Sequence, residues 1–397
     1  MNKKRLGIIS AIATAVLAAT ALVVPSANAA GKSLVIWSDE SRAKTLREAA
    51  ASWASQNGVT LTVVIKDFGK VKDEFITAGP KGLGPDLIVG PHDWVGQLAA
   101  SGVLDRMVNI DKSAYAASGI QGFSYKGLLY GLPYNVENVA MFVNTKLSPT
   151  IPTTFADLEK TWATLKAAGT AKVGIEVPYG DPYHHMPLFS GLGGYVFGVG
   201  ASGINAKDLG INSKAFAANA SKVDGYFASG LLSKSSNYDF VQWYAGKAPY
   251  MITGPWNLAN VKKSGIPYAI AAVPAVNGTL SRPFVGVNGF MMSKFAANKI
   301  VARQFLTQVA SSDDFQLALY KLGDRLPALK TAAAKVTDKD VAAFGTYGAT
   351  GTPMPNIPQM NSVWDSWGNA WKNVADGKQT AAAAFAQAAA NIKKAIS

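Results

Sequence analysis

The spacing of apolar and polar positions changes its period along the chain. The run Leu34-Val35-Ile36-Trp37 is apolar, short and partly β-branched, and predicts a strand. Over 42–56 the period lengthens. Leu46, Ala49/Ala50 and Trp53 recur three and four residues apart, which predicts an amphipathic helix stopped by Asn57-Gly58. A β-branched stretch over 61–65 predicts a second strand, and 71–77 a short helix. Gly79, Pro80 and Gly82 form a turn, and Leu87-Ile88-Val89 reads as a buried strand. Asp93 then stands where it could cap a helix through Ala100, closed by Ser101-Gly102. Such alternation predicts a parallel α/β sheet, whose binding groups lie beyond the carboxyl ends of the strands. Those tips are 38–42 and 90–94.

Two segments, 131–144 and 284–290, read as extended crossings. Between them helices and strands mix, including an apolar run over 250–253 before Gly254-Pro255-Trp256. From Ala297 the pattern is helical to the end, and the last helix, 381–396, carries Lys393 and Lys394 against the negative end of its dipole. No internal repeat or heptad appears. The crossings predict a chain that passes between two lobes. At the other end, Lys3, Lys4 and Arg5 precede an uncharged run over 6–24 and then Ala27-Asn28-Ala29. That is the layout of an export signal cleaved after Ala29.

Composition narrows this picture. The 397 residues exceed what one hydrophobic core usually serves, which again predicts two lobes. There is no cysteine, which excludes a disulfide scaffold, a zinc ribbon, an iron–sulfur cluster and a thiol nucleophile. Beside an export signal it also predicts a periplasmic or extracellular protein without a lipid anchor. The net charge of +13 drops by three with the signal, and the remaining Lys and Arg are scattered. Nucleic-acid binding needs them clustered and is not expected. Three histidines, two of them adjacent (His184 and His185), make no convincing metal set, and no nucleophile elbow, Walker loop or dinucleotide fingerprint occurs.

What does stand out is acid and aromatic residues paired at turns: His92-Asp93-Trp94, Asp181-Pro182-Tyr183, Gly254-Pro255-Trp256 and Trp364-Asp365-Ser366-Trp367. A sugar ring offers an apolar C–H face for Trp and Tyr and a rim of hydroxyls for carboxylates. The pattern fits a carbohydrate site. An anion site would want basic groups and helix N-termini instead.

The chain resembles the maltose/maltodextrin-binding proteins of bacterial ABC importers, extracellular solute-binding proteins of family 1. The resemblance rests on Leu34-Val-Ile-Trp37, Gly84-Pro-Asp-Leu-Ile88, His92-Asp93, Ser101-Gly102-Val-Leu104, Val136-Glu137-Asn138, Gly254-Pro-Trp256, Pro283-Phe-Val-Gly286 and Met354-Pro-Asn-Ile-Pro-Gln-Met360, in order along the chain after the signal. It implies a two-lobed α/β periplasmic-binding-protein fold of type II, with a cleft between discontinuous domains. The N-lobe would be 30–135 plus 290–335, the C-lobe 140–284 plus 340–397, and the hinge crossings 136–139 and 285–289. It implies that Tyr183, Trp256 and Trp364 stack on glucose units and that Asp93, Glu137 and Asp181 accept their hydroxyls. Glu40 and Arg42 would fall near a ligand-contacting acid–base pair. Trp94 would take the place of a sugar-binding Arg and restore an aromatic face lost at Gly90. A monomeric carrier is implied, without cofactor, metal or catalysis, handing maltose or maltodextrin to membrane ABC permease subunits. The alternatives are a carrier for cyclodextrin or trehalose, a carrier for an anion or iron chelate, and a secreted glycoside hydrolase.

Overall fold

Residues 32–397 other than 202, 236 and 237 are described by the computed structural model. The export signal expected over 1–29 lies outside the described residues. The first alternation folds as strand β1 (Ser33–Ser38), helix α1 (Glu40–Gln56), strand β2 (Thr60–Ile65), helix α2 (Val71–Ala78) and strand β3 (Leu87–Pro91). β1 lies parallel to both β2 and β3. α1 starts two residues before the periodic stretch because Asp39 caps it, its carboxylate accepting from the Ser41 N–H at 3.0 Å. Asp86, buried just before β3, accepts from the backbone N–H groups of Val35 and Asn298 at 2.8 and 2.9 Å. It ties β1 to the start of a distant helix.

The expected crossing over 131–144 is two strands in different sheets, β4 (Gly131–Asn138) and β5 (Ala140–Asn144), parted at Val139. After them come β6 (Ile175–Glu176), β7 (Tyr250–Thr253), β8 (Tyr268–Ala271), β9 (Phe284–Met292), β10 (Leu326–Pro327) and β11 (Thr352–Pro353). Of the two larger sheets, one runs β10-β4-β9-β3-β1-β2, with β11 beside β9, and the other runs β8-β5-β7-β6. The first sheet is therefore mixed and not purely parallel. β9 returns from the far sheet and runs antiparallel to both β3 and β4. The chain passes from one sheet to the other at Val139 and back between β8 and β9.

Apolar clusters follow the sheets. Leu34, Ile36, Leu46, Phe290, Phe305 and Phe315 fill one face of the larger sheet, and Trp37, Phe75, Ile88, Trp94 and Phe123 the other. The smaller sheet packs Met141, Tyr250 and Ile252 against Phe189, Phe216, Trp367, Trp371 and Phe385. Each fully buried Phe contributes on the order of 1.5–3 kcal/mol. The segment after 297 is not helical throughout. β10 and β11 interrupt it, and Pro353 and Pro355 cannot continue a helix. The chain closes with two helices in contact, Trp364–Ala375 and Ala381–Ile396. Trp371 of the first and Phe385 of the second meet edge-on with their rings 5.2 Å apart. Among the described residues no helix is long and apolar enough to cross a membrane.

Candidate functional site

The candidate side chains gather where strand ends of both sheets come together. At the end of β1, Arg42 turns back onto Asp39 at 2.5 Å and reaches Asn288 of β9 at 3.0 Å. The expected Glu40–Arg42 pair is thus shifted by one residue: Glu40 is exposed, and the acid beside Arg42 is Asp39. The reason is local, since Asp39 as helix cap faces the first turn that carries Arg42.

At the end of β3 the chain makes a one-turn helix, His92–Trp94, before helix α3 (Val95–Ala100). Asp93 does not cap α3 as expected. Its Oδ2 instead accepts from the indole Nε1 of Trp364, 3.0 Å away, and its Oδ1 is buried without a partner. Burial pushes the Asp93 carboxyl up, against the pull of His92 and Lys72. Lys72, in turn pushed down by burial, also bonds to Asn361. His92 is a structural link: its Nδ1 accepts from the Val287 N–H at 3.1 Å and its Nε2 donates to the Met354 carbonyl at 3.0 Å. Trp94 folds back over Gly90, where a Cβ would lie 2.2 Å from the indole, and Phe68 covers it with a centroid distance of 5.3 Å.

From the smaller sheet's side, Asp181 begins a helix and does not merely sit in a turn. It caps helix α4 (Pro182–Gly191) through the Tyr183 N–H at 2.8 Å. Its other oxygen accepts from His184 Nδ1 at 2.6 Å and from the Tyr238 hydroxyl at 2.8 Å. Burial alone would raise this carboxyl, but the pull of His184 and these hydrogen bonds hold it down at about 2. Tyr183 stacks on Phe284 at 5.9 Å and meets Trp256 at 6.1 Å. A Cβ on Gly286 of β9 would lie 2.9 Å from the Tyr183 hydroxyl and 3.2 Å from Glu137 Cγ, so only a glycine lets these two groups share that point. Glu137, near the end of β4, accepts from Arg325 Nε at 2.6 Å, and the same guanidinium lies 5.7 Å from the Trp256 ring centroid. Trp364 closes the group, 5.9 Å from Phe284.

The structure thus brings Asp93, Glu137, Tyr183, Trp256 and Trp364 into one aromatic, acid-bearing cluster fed by both sheets. Asp181 joins it through His184, and Arg42 lies at its edge, within electrostatic reach of Glu137. Trp94 belongs to the core behind it, only 7% exposed. Among the described residues no group of three or more His, Asp or Glu could hold a metal.

A model of the bacterial extracellular solute-binding proteins matches residues 48–346, about three-quarters of the chain. The chain belongs to this family. Three similar proteins span nearly all of it. The galactooligosaccharide-binding protein of Bacillus subtilis (strain 168) is 30% identical over 381 residues, covering 91% of this chain and 89% of its own. The maltodextrin-binding protein MdxE of the same organism is 30% identical over 375 residues, covering 90% and 88%. A maltooligosaccharide ABC transporter solute-binding lipoprotein of Streptococcus pneumoniae (strain ATCC BAA-255 / R6) is 26% identical over 381 residues, covering 92% and 89%. The mixed α/β architecture is the type II periplasmic-binding-protein fold of this family, and the family binds solutes without catalysis.

The geometry of this solute-binding protein agrees. A glycoside hydrolase needs two working carboxyl groups about a scissile bond. Here Glu137 is tied to Arg325 and Asp181 already accepts three hydrogen bonds. What the cluster does offer is buried, unpaired polar atoms among aromatic faces: Asp93 Oδ1, Tyr183 Oη and His184 Nε2. Burial pushes the Tyr183 phenol up, so it stays a donor. Other unpaired groups, such as the indoles of Trp243 and Trp371, sit inside packed cores. Of three cavities, the one of about 320 Å³ is lined by none of the cluster residues, the one of about 400 Å³ by their chain neighbours Val136, Asn138 and Pro255, and the one of about 340 Å³ by Phe284.

Five residues of the site went unread in the sequence: Asp39, Phe68, Lys72, Tyr238 and Arg325. Asp39 was readable as a helix cap. Lys72 stands in the charged run Lys70-Val71-Lys72-Asp73-Glu74 and looks like a solvent face. Arg325 and Tyr238 lie in irregular stretches with no period to point to them.

Proposed function

We propose that this protein captures maltose or maltodextrin, α-1,4-linked glucose chains, between its two lobes and delivers them as a monomer to the membrane permease of an ABC importer. It works outside the cytoplasm. The coarser part, an oligosaccharide carrier for such an importer, is supported by what its relatives bind. One observation carries the reading at the level of chemistry. Buried, unpaired Asp93 Oδ1, Tyr183 Oη and His184 Nε2 lie among Tyr183, Trp256 and Trp364. Leaving each such atom unpaired costs about 1–3 kcal/mol. Sugar hydroxyls both donate and accept and would remove that cost, while the rings cover the apolar faces of the sugar.

In this reading Trp256, Tyr183 and Trp364 are platforms, and Asp93 and Glu137 accept hydrogen bonds from the sugar hydroxyls. Arg42 and Glu40 lie at the rim, and Trp94 backs the site. Residues 136–139 and 285–289 flex as hinges. Closure follows because the ligand touches both lobes only in the closed form, so differential contacts shift the population. The relative that binds galactooligosaccharides is as similar as the maltodextrin binder, which favours galactooligosaccharides as the second reading. Tryptophan fluorescence tests the first. Millimolar maltotriose should change the emission, because Trp256 and Trp364 become covered. No change would contradict an α-glucan ligand.

A further inference from the structure

Asp181 has little left to give a ligand. Its Oδ1 accepts the Tyr183 N–H at 2.8 Å, and its Oδ2 accepts both His184 Nδ1 at 2.6 Å and the Tyr238 hydroxyl at 2.8 Å. Its partner His184 does carry a polar atom with no partner. His184 is only 3% exposed, and its Nε2 is buried and unpaired. Three rings surround the imidazole edge-on: Tyr238 at 5.5 Å, Trp256 at 5.7 Å and Tyr183 at 6.0 Å. An ionised carboxylate only accepts, so Nδ1 carries the proton in the bond to Asp181 and the ring is held in one orientation. Nε2 is then the group free to meet a ligand. It accepts from a hydroxyl when the ring is neutral and donates when it is charged, and a sugar hydroxyl satisfies either.

We infer that His184 Nε2 reads a hydroxyl of the sugar unit lying against Trp256, and that Asp181 is a positioning residue that orients His184 instead of bonding the sugar itself. This rests on the oligosaccharide reading above. It also assigns discrimination between epimers to His184, because a hydroxyl of the wrong configuration leaves Nε2 unpaired again.

Titration calorimetry on the whole chain, with maltotriose and with a galactotriose, tests it beside nitrogen NMR of the histidine rings. His184→Phe keeps an aromatic ring and removes Nε2. It should weaken the sugar that wild type binds at least tenfold, about 1.4 kcal/mol; it also removes the Nδ1 bond to Asp181, so the melting temperature falls and the affinity is read on the folded protein. His184→Gln, whose amide extends toward the position of Nε2, should recover part of that loss. In wild type the Nε2 resonance should move on saturation with sugar. Wild-type affinity in His184→Phe, or an unmoved Nε2 resonance at saturation, overturns the inference and leaves the oligosaccharide reading standing. If His184→Phe does not fold, the resonance alone decides. If wild type binds neither sugar, both fall together.

Discussion

Trp94 and Trp256 each lie folded back over a glycine at the end of a strand, one in each sheet. A Cβ at Gly90 would lie 2.2 Å from the Trp94 ring, and one at Gly254 2.1 Å from the Trp256 ring. Both turns continue through a one-turn helix into a short α-helix, Val95–Ala100 in one case and Leu258–Ser264 in the other. The surroundings then part. Trp94 is capped by Phe68 and packs into the core with Trp37 and Ile88. Trp256 is half-buried, with Tyr183, His184 and Arg325 around it. The same local device therefore yields a buried wedge on one side and, in the proposed reading, a binding platform on the other. Neighbours far along the chain decide which.

The neighbouring acids differ in the same way. Asp93 sits against an indole N–H with one oxygen unpaired, and burial raises its pKa. Asp181 is saturated with donors and held at about 2.

The largest expected effect is on stability at the first turn. Trp94→Ala should cost about 3–5 kcal/mol by chemical denaturation, with the folded fraction still binding sugar. Intact stability with lost binding would make the two turns equivalent and break the comparison.

The next effect concerns the acids. The folded-state pKa of Asp181 lies below its ordinary 3.8, so its stabilisation is present above that value and is lost as pH falls from about 4 to about 2. At 1.36 kcal/mol per unit this is about 2 kcal/mol. Asp181→Asn should flatten the acid limb of the stability profile in that window. Asp93, raised by burial, has the opposite sign: its contribution is full below the ordinary carboxyl range and is lost as pH rises, so Asp93→Asn should relieve destabilisation near neutrality. A profile with both substitutions acting in one direction would contradict the assignment.

The smallest is Trp256→Ala. It should weaken sugar binding about tenfold, about 1.4 kcal/mol, with a melting temperature near wild type. Unfolding instead would put Trp256 with Trp94 as a core residue.

Much of the architecture was legible because local pattern and tertiary role coincide. The strand at Leu34–Trp37, the helix ending at Asn57-Gly58 and the last helix from Ala381 all follow from period and stop signals. What was not legible depends on distant contacts. The direction of β9 is set by its return from the other sheet, which no local window contains. Asp93 looked like a cap because nothing near it in sequence announces Trp364, 271 residues away. Arg325 meets Glu137 across 188 residues, and a lone arginine after a turn carries no signal of that. The aromatic–acid turns were visible; which of their faces are left open was not.

The most direct test is a calorimetric comparison of maltotriose with a β-linked galactotriose on the intact chain and on Trp256→Ala. Saturable one-to-one binding of maltotriose, weaker binding of the galactose chain and about tenfold loss in the variant, about 1.4 kcal/mol, are expected. Binding of neither sugar, or maltotriose binding untouched by Trp256→Ala, would contradict the maltodextrin reading.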